Sequence, residues 1–424
     1  MFKKIRQVWQ IKELRHSIFF VFALLAVFRF AAHIPIPGVN LVNLKNVFDS
    51  NQVLGLLNIM SGGAMTRFSL VALGIGPYIT SSIIFQLLAM IIPSLEELAK
   101  EGAAGQRKIN QYTRLATVPL ALLQSYGMIS LFRNSSAQIM GQIGPLQLIT
   151  IMITMTAGSM FLVWIGELID EKRIGNGISL IIFAGIVARI PTSIQQTLVT
   201  FDISQLTNLI IFAVISFVTV IGVVIITEGS RHIPVSYARR VRGNRLYGGT
   251  DSYLPLKVNQ TGMIPIIFAV SLVLFPPLIA QFLLNARSVW LVNFAQGVIN
   301  LFQNQIFYGI IYFALVFIFT YFYTSIIFHP QRISDNLQKQ GGFIPGIRPG
   351  ASTSGYLKKV SDRIMLAGAL FLGLIAILPI ISQGIFHGGS LVVGGAALLI
   401  VVSVVMETVK QIDSQLAMRE YEKF

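Results

Sequence analysis

Phe68-Ser69-Leu70-Val71-Ala72-Leu73-Gly74-Ile75-Gly76-Pro77-Tyr78-Ile79-Thr80-Ser81-Ser82-Ile83-Ile84-Phe85-Gln86-Leu87-Leu88-Ala89-Met90-Ile91-Ile92 runs without a charged side chain. About 20 apolar residues in a helix cross a hydrocarbon core of about 30 Å, so the stretch reads as a membrane span. Nine more apolar stretches flank it: Ser17–Ala32, Leu115–Phe132, Leu146–Ile165, Ile178–Ile190, Leu209–Ile226, Met263–Leu284, Ile306–Phe328, Ile364–Ile381 and Leu391–Met406. The gap after Ile92 carries Lys100, Arg107, Lys108 and Arg114, and cations recur in every second gap. Lys3, Lys4, Arg6, Lys12 and Arg15 open the chain, and Lys172 and Arg173 follow the fourth stretch. Arg231, Arg239, Arg240, Arg242, Arg245 and Lys257 follow the sixth, and Arg332, Lys339, Arg348, Lys358, Lys359 and Arg363 follow the eighth. Lys410, Arg419 and Lys423 close it; of 32 Lys and Arg, only Arg29, Lys45, Arg67, Arg133, Arg189 and Arg287 lie elsewhere. This alternation predicts a multi-pass protein of the bacterial plasma (inner) membrane with both termini cytoplasmic.

Hydrophobic residues make up 54% and charged residues 12%, with mean hydropathy +0.72. A soluble domain of this length has a different balance. Topology accounts for much of the net charge of +15. The basic start and first span run into Ile34-Pro35-Ile36-Pro37-Gly38 without a small-residue cleavage site, so the span is expected to be retained. The five histidines (His16, His33, His232, His329, His387) are scattered, and there is no cysteine. Neither a metal site nor a phosphate-binding loop can be drawn from such a set. No cofactor is expected, and the chain is expected not to be an enzyme. Among 17 carboxylates, Glu167, Asp170, Glu171, Glu228 and Glu407 sit at or near span ends and none sits mid-span. An ion-coupled carrier usually keeps an ionisable group inside the membrane. A coupled solute transporter with sodium sites of carbonyls and hydroxyls remains as one alternative, and a structural membrane scaffold as another. Arg29 lies near the external end of the first span, where a long side chain can snorkel to the interface.

The expected fold is all-α, with ten transmembrane helices in two inverted five-helix halves around a central pore. The break falls in Pro191–Gln205, giving an N-terminal half 1–200, a C-terminal half 201–412 and a cytoplasmic tail 413–424. An odd number of spans per half makes the second half enter from the opposite face. The second span of each half carries Gly and Pro: Gly74-Ile75-Gly76-Pro77 in one, Gly262-Met263-Ile264-Pro265 and Pro276-Pro277 in the other. Matched interruptions point to the working site. Gly55–Thr66 is too short and glycine-rich to cross, yet too apolar for a solvated loop, so it reads as a short re-entrant helix. Gly229–Val258 and Pro330–Val360 are longer than a helix connection needs. Arg239 and Arg240 crowd the first arm, and prolines constrain the turn holding Arg348 in the second. Such basic arms suit a large anionic partner, ribosomal RNA or an acidic protein surface.

Several motifs carry a resemblance over essentially the whole chain: Ile34-Pro35-Ile36-Pro37-Gly38-Val39, Ser61-Gly62-Gly63-Ala64, Gly76-Pro77-Tyr78-Ile79, Arg107-Lys108-Ile109-Asn110-Gln111-Tyr112-Thr113-Arg114, Gly175-Asn176-Gly177-Ile178-Ser179, Leu254-Pro255-Leu256-Lys257-Val258-Asn259, Asp335-Asn336-Leu337 and the Arg348 turn. The chain resembles the SecY family, channel subunits of the bacterial protein-secretion translocase. It departs at His232 and His329, where Arg and Asn are usual. The resemblance implies a protein-conducting channel that passes unfolded secretory polypeptides and releases apolar segments sideways into lipid. It implies a pore ring of Ile75, Ile79, Ile182, Ile186, Ile267 and Ile400, although spacing alone would leave most such isoleucines facing lipid. It implies a plug containing Leu56, Asn58, Ile59, Met60, Ser61, Gly62, Gly63 and Ala64. A lateral gate between spans two and seven is implied at Thr80, Gln86 and Phe275. Arg239, Arg240 and Arg348 would meet partners at the cytoplasmic arms. The implied partners are the SecE and SecG subunits, the SecA ATPase, the ribosome, signal sequences with nascent or unfolded polypeptides, and membrane lipids.

Overall fold

A computed structural model describes residues 7–50, 58, 61–133, 139–141, 144–199, 206–237, 240–242, 245–247, 252–284, 288–385 and 395–421. The helices in chain order are α1 (Lys12–Ala31), α2 (Leu41–Ser50), α3 (Gly76–Ile91), α4 (Pro93–Lys100), α5 (Ala103–Arg133), α6 (Pro145–Glu171), α7 (Gly177–Val187) and α8 (Ile190–Val199). They continue as α9 (Leu206–Glu228), α10 (Ile264–Leu283), α11 (Val289–Gln303), α12 (Gln305–Ile327), α13 (Pro330–Lys339), α14 (Ala351–Ile385) and α15 (Gly395–Tyr421). The strands are β1 (Ser230–Tyr237), β2 (Arg240–Arg242), β3 (Arg245–Tyr247), β4 (Ser252–Lys257) and β5 (Gly342–Phe343). Each apolar stretch of the sequence overlaps helix, long in most cases and short at Ile178–Ile190. Among the described residues, 6 helices are long and apolar enough to cross a membrane, or up to 7 with the bent pair α3–α4, and Gly177–Thr192 and Ile264–Pro277 are shorter apolar helices.

Local chemistry sets the helix limits. Pro93, Pro145 and Pro330 occupy first-turn positions, where a missing N–H leaves nothing unpaired. Asn176 caps α7 by accepting from Ser179 N at 3.0 Å, and Asn304 caps α12 through Ile306 N and Phe307 N. Within α5, Thr113 and Thr117 hydroxyls return to carbonyls one turn back at 2.9 and 2.7 Å, so polar side chains in apolar surroundings stay paired.

Three features depart from the expected plan. Span two is helical only from Gly76, because residues 61–75 run as successive turns, and it bends by 101° into α4. Pro276 and Pro277 do not break span seven; both lie inside the continuous helix α10. The two basic arms are neither loops nor separate: β1 pairs antiparallel with β4, and its end pairs with β5 of the second arm through Ser236–Phe343 and Tyr237–Gly342. Ile233, Val235 and Leu256 alternate inward in these strands and pack with Leu337, Ile344, Leu357 and Val360 into a small core of their own. A large second cluster gathers the faces of α1, α3, α6, α7, α10, α12, α14 and α15.

Candidate functional site

Ile75 and Ile79 stand at the start of α3, Ile182 and Ile186 on α7, Ile267 on α10 and Ile400 on α15. All six are between 2% and 6% exposed and belong to one contiguous apolar cluster. The lipid-facing orientation expected from spacing alone does not hold for them. The i,i+4 pairs put two side chains of one helix on one face, and tertiary packing buries these residues of four separate elements in one large cluster that also takes in α1, α6, α12 and α14.

The irregular segment 61–75 leads into α3 and contributes Ala64, Val71 and Ile75 to this cluster. Its left-handed residues, Gly62 at φ +68° and Gly63 at φ +82°, prevent a helix from continuing. Irregular backbone inside apolar protein must be satisfied locally, and Asn58 provides the hub. Gly63 N donates to Asn58 O at 2.8 Å, Thr66 N donates to Asn58 Oδ1 at 3.2 Å, and Ser61 Oγ donates to Asn58 O at 3.1 Å. Ala64 enters the isoleucine cluster, while Met65 and Phe68 anchor in a neighbouring one with Phe48 and Phe132. The Ile34-Pro35-Ile36 motif fastens the far end: Ile36 N donates to Phe68 O at 2.9 Å, and Leu70 N to Ile34 O at 3.0 Å. A Cβ on Gly62 would lie 2.6 Å from Gly185 Cα, next to Ile186 and three residues beyond Ile182 on α7. The segment therefore sits backbone against backbone on the helix that carries two of the isoleucines. Leu56, Ile59 and Met60 lie outside the described residues.

Thr80 is buried on α3 and accepts from Gln124 Nε2 at 3.5 Å. Phe275 is half-buried on α10, and α3 and α10 pack on each other. Gln86 donates to Ser82 Oγ at 3.1 Å within α3, and its side chain also meets the Tyr323 hydroxyl of α12.

Opposite lies a second seam, which sequence reasoning missed. Gln411 Oε1 of α15 accepts from Gly175 N at 2.6 Å, and Gln415 Nε2 donates to Arg173 O at 2.6 Å. Asp170 Oδ1 accepts from Gly177 N at 2.7 Å in the same turn. These bonds tie the α6–α7 turn to the last helix. Arg114 pairs with Glu167 between α5 and α6, and Lys410 with Glu228 at 2.8 Å between α15 and α9.

Arg348 is exposed on the second arm, and its backbone is held: Thr353 Oγ1 donates to its carbonyl at 2.9 Å, Ser334 Oγ to Gly350 O at 2.7 Å, and the neighbouring Ile344 is buried. Arg240 starts β2 opposite Tyr247 of β3, whereas Arg239 lies outside the described residues.

Helices with apolar surfaces packed around a buried apolar centre define a polytopic membrane protein. The model of the SecY family matches residues 69–409. The chain is 43% identical to the protein translocase subunit SecY of Mycobacterium bovis, over 97% of this chain and 97% of that protein. It belongs to the SecY family and has the role of a protein-translocation channel. Its fold is similar to a structure of a protein conducting channel, with TM-score 0.64 and 18% identity over 93% of this chain and 90% of that one. It is similar too to Sec61 in the canine ribosome–channel complex, with TM-score 0.62, 18% identity and the same coverage.

Proposed function

We propose that this chain is the central channel subunit of a Sec translocase, passing unfolded secretory polypeptides outward and transmembrane segments sideways into lipid. The observation that carries this reading is the burial of six isoleucines from four separate elements in one apolar cluster. A collar of branched apolar side chains excludes water and ions when empty and yields around an extended peptide. Residues 55–66 act as a plug beneath it. Thr80, Gln86 and Phe275 border a lateral gate, and the α15 clasp on the α6–α7 turn forms the opposite hinge. Ten spans in two inverted halves, 1–200 and 201–412, place both termini and both arms in the cytoplasm of a bacterial cell. The joined arms, with the rigid Arg348 turn exposed, dock the SecA ATPase or a translating ribosome; SecE and SecG complete the channel. The energy comes from these partners.

Reconstitution tests the reading. Vesicles holding the chain, its small subunits and SecA are expected to take up a secretory precursor into a protease-protected space, and to take up no small solute on an ion gradient. Solute uptake in place of precursor uptake would support the transporter alternative, and neither activity would support a scaffold. In the same vesicles Arg348→Glu should cut SecA-driven uptake at least about tenfold, since reversing a charge turns an attraction into a repulsion of several kcal/mol. Membrane accumulation should stay near normal, because Arg348 is exposed.

A further inference from the structure

Arg29 stands in the last turn of α1, where the helix dipole alone favours a cation. Its guanidinium does more than face that dipole: Nη1 donates to the Gly62 carbonyl at 2.8 Å. Gly62 is fixed from behind by its contact with Gly185, which leaves no room for a side chain. Gly63, next in sequence, lies against Arg189, with a Cβ there falling 3.7 Å from Arg189 Cδ. The glycine turn thus meets two arginines from outside it, Arg29 at the end of α1 and Arg189 just beyond α7. A guanidinium near the membrane interior is tolerated where it meets backbone carbonyls, and the carbonyl it meets belongs to the re-entrant segment.

We propose that Arg29 latches the plug shut. The proposal rests on residues 55–66 being a plug. A charge-assisted hydrogen bond to Gly62 favours the closed state. Removing it therefore favours opening only where the plug is present, which an arginine serving only the fold would not do.

Single-channel recording in planar bilayers, on the full chain with its small subunits, reads this directly. Arg29→Gln is expected to raise resting open probability at least about tenfold, the scale of losing a charged hydrogen bond. It should also let weakened signal sequences start export. In a chain lacking Asn58–Met65, which leaks if the plug reading holds, Arg29→Gln should add nothing. A deletion that does not leak overturns the plug reading and the latch together. A leaking deletion beside a silent Arg29→Gln, or leaks that simply add, overturns the latch alone.

Discussion

Oxidising a Thr80→Cys, Phe275→Cys double variant is expected to stop export, and reduction to restore it. The chain has no cysteine of its own, so these would be the only two thiols. Thr80 is on α3 and Phe275 on α10, helices that pack face to face along the proposed gate. A disulfide cannot bridge Cα atoms more than about 7 Å apart, so the oxidised pair forbids the separation a passing helix needs. The loss should be complete rather than graded, because a covalent bond does not yield to signal-sequence binding. A long flexible crosslinker between the same thiols should leave export intact. Ready disulfide formation with unchanged export would show that these helices need not part.

Exchanging Ile79, Ile186 and Ile400 for Ser should turn a dry constriction into a leaking one. Burial of one aliphatic side chain contributes about 1.5–3 kcal/mol, and about 1.4 kcal/mol already shifts a two-state ratio tenfold. Three losses, from α3, α7 and α15, therefore exceed what a closed state can absorb, and resting ion conductance in planar bilayers should rise far above tenfold. Serine also offers hydroxyls to water inside the collar. Bilayers that show no added conductance would mean these side chains pack the core without lining a passage.

Hydropathy made the spans legible, since an unbroken apolar run such as Ile306–Phe328 has few other readings, and the helix α12 follows it closely. The isoleucine cluster was legible only through family resemblance. Spacing puts Ile75 with Ile79 and Ile182 with Ile186, but no periodicity says which way two distant helices turn those faces. The arms were misjudged for a different reason. Ile233, Val235, Leu254 and Leu256 alternate with polar or proline residues at the period of a strand, yet charge and length drew the reading first, so the β1–β4–β5 sheet went unpredicted. Pro276-Pro277 suggested a break, but membrane helices carry proline where neighbours re-satisfy the freed carbonyls, and α10 continues through both. Nothing local to Arg173 and Gly175 announces their bonds to Gln415 and Gln411, because these join residues remote in sequence. Arg29 looked like a snorkelling side chain, and only its distance to Gly62 O shows otherwise.

The central claim is that a polypeptide passes through the isoleucine cluster. The most direct measurement places a photo-crosslinking residue at Ile79, Ile186 or Ile400 and stalls a secretory precursor mid-passage with a folded domain at its end. Ile153, Val214 and Ile318, with exposures of 58%, 56% and 58%, serve as outward-facing controls. Irradiation is expected to join the precursor to the channel from the three cluster positions and from none of the controls. Adducts from the controls and none from the cluster would contradict passage through this centre.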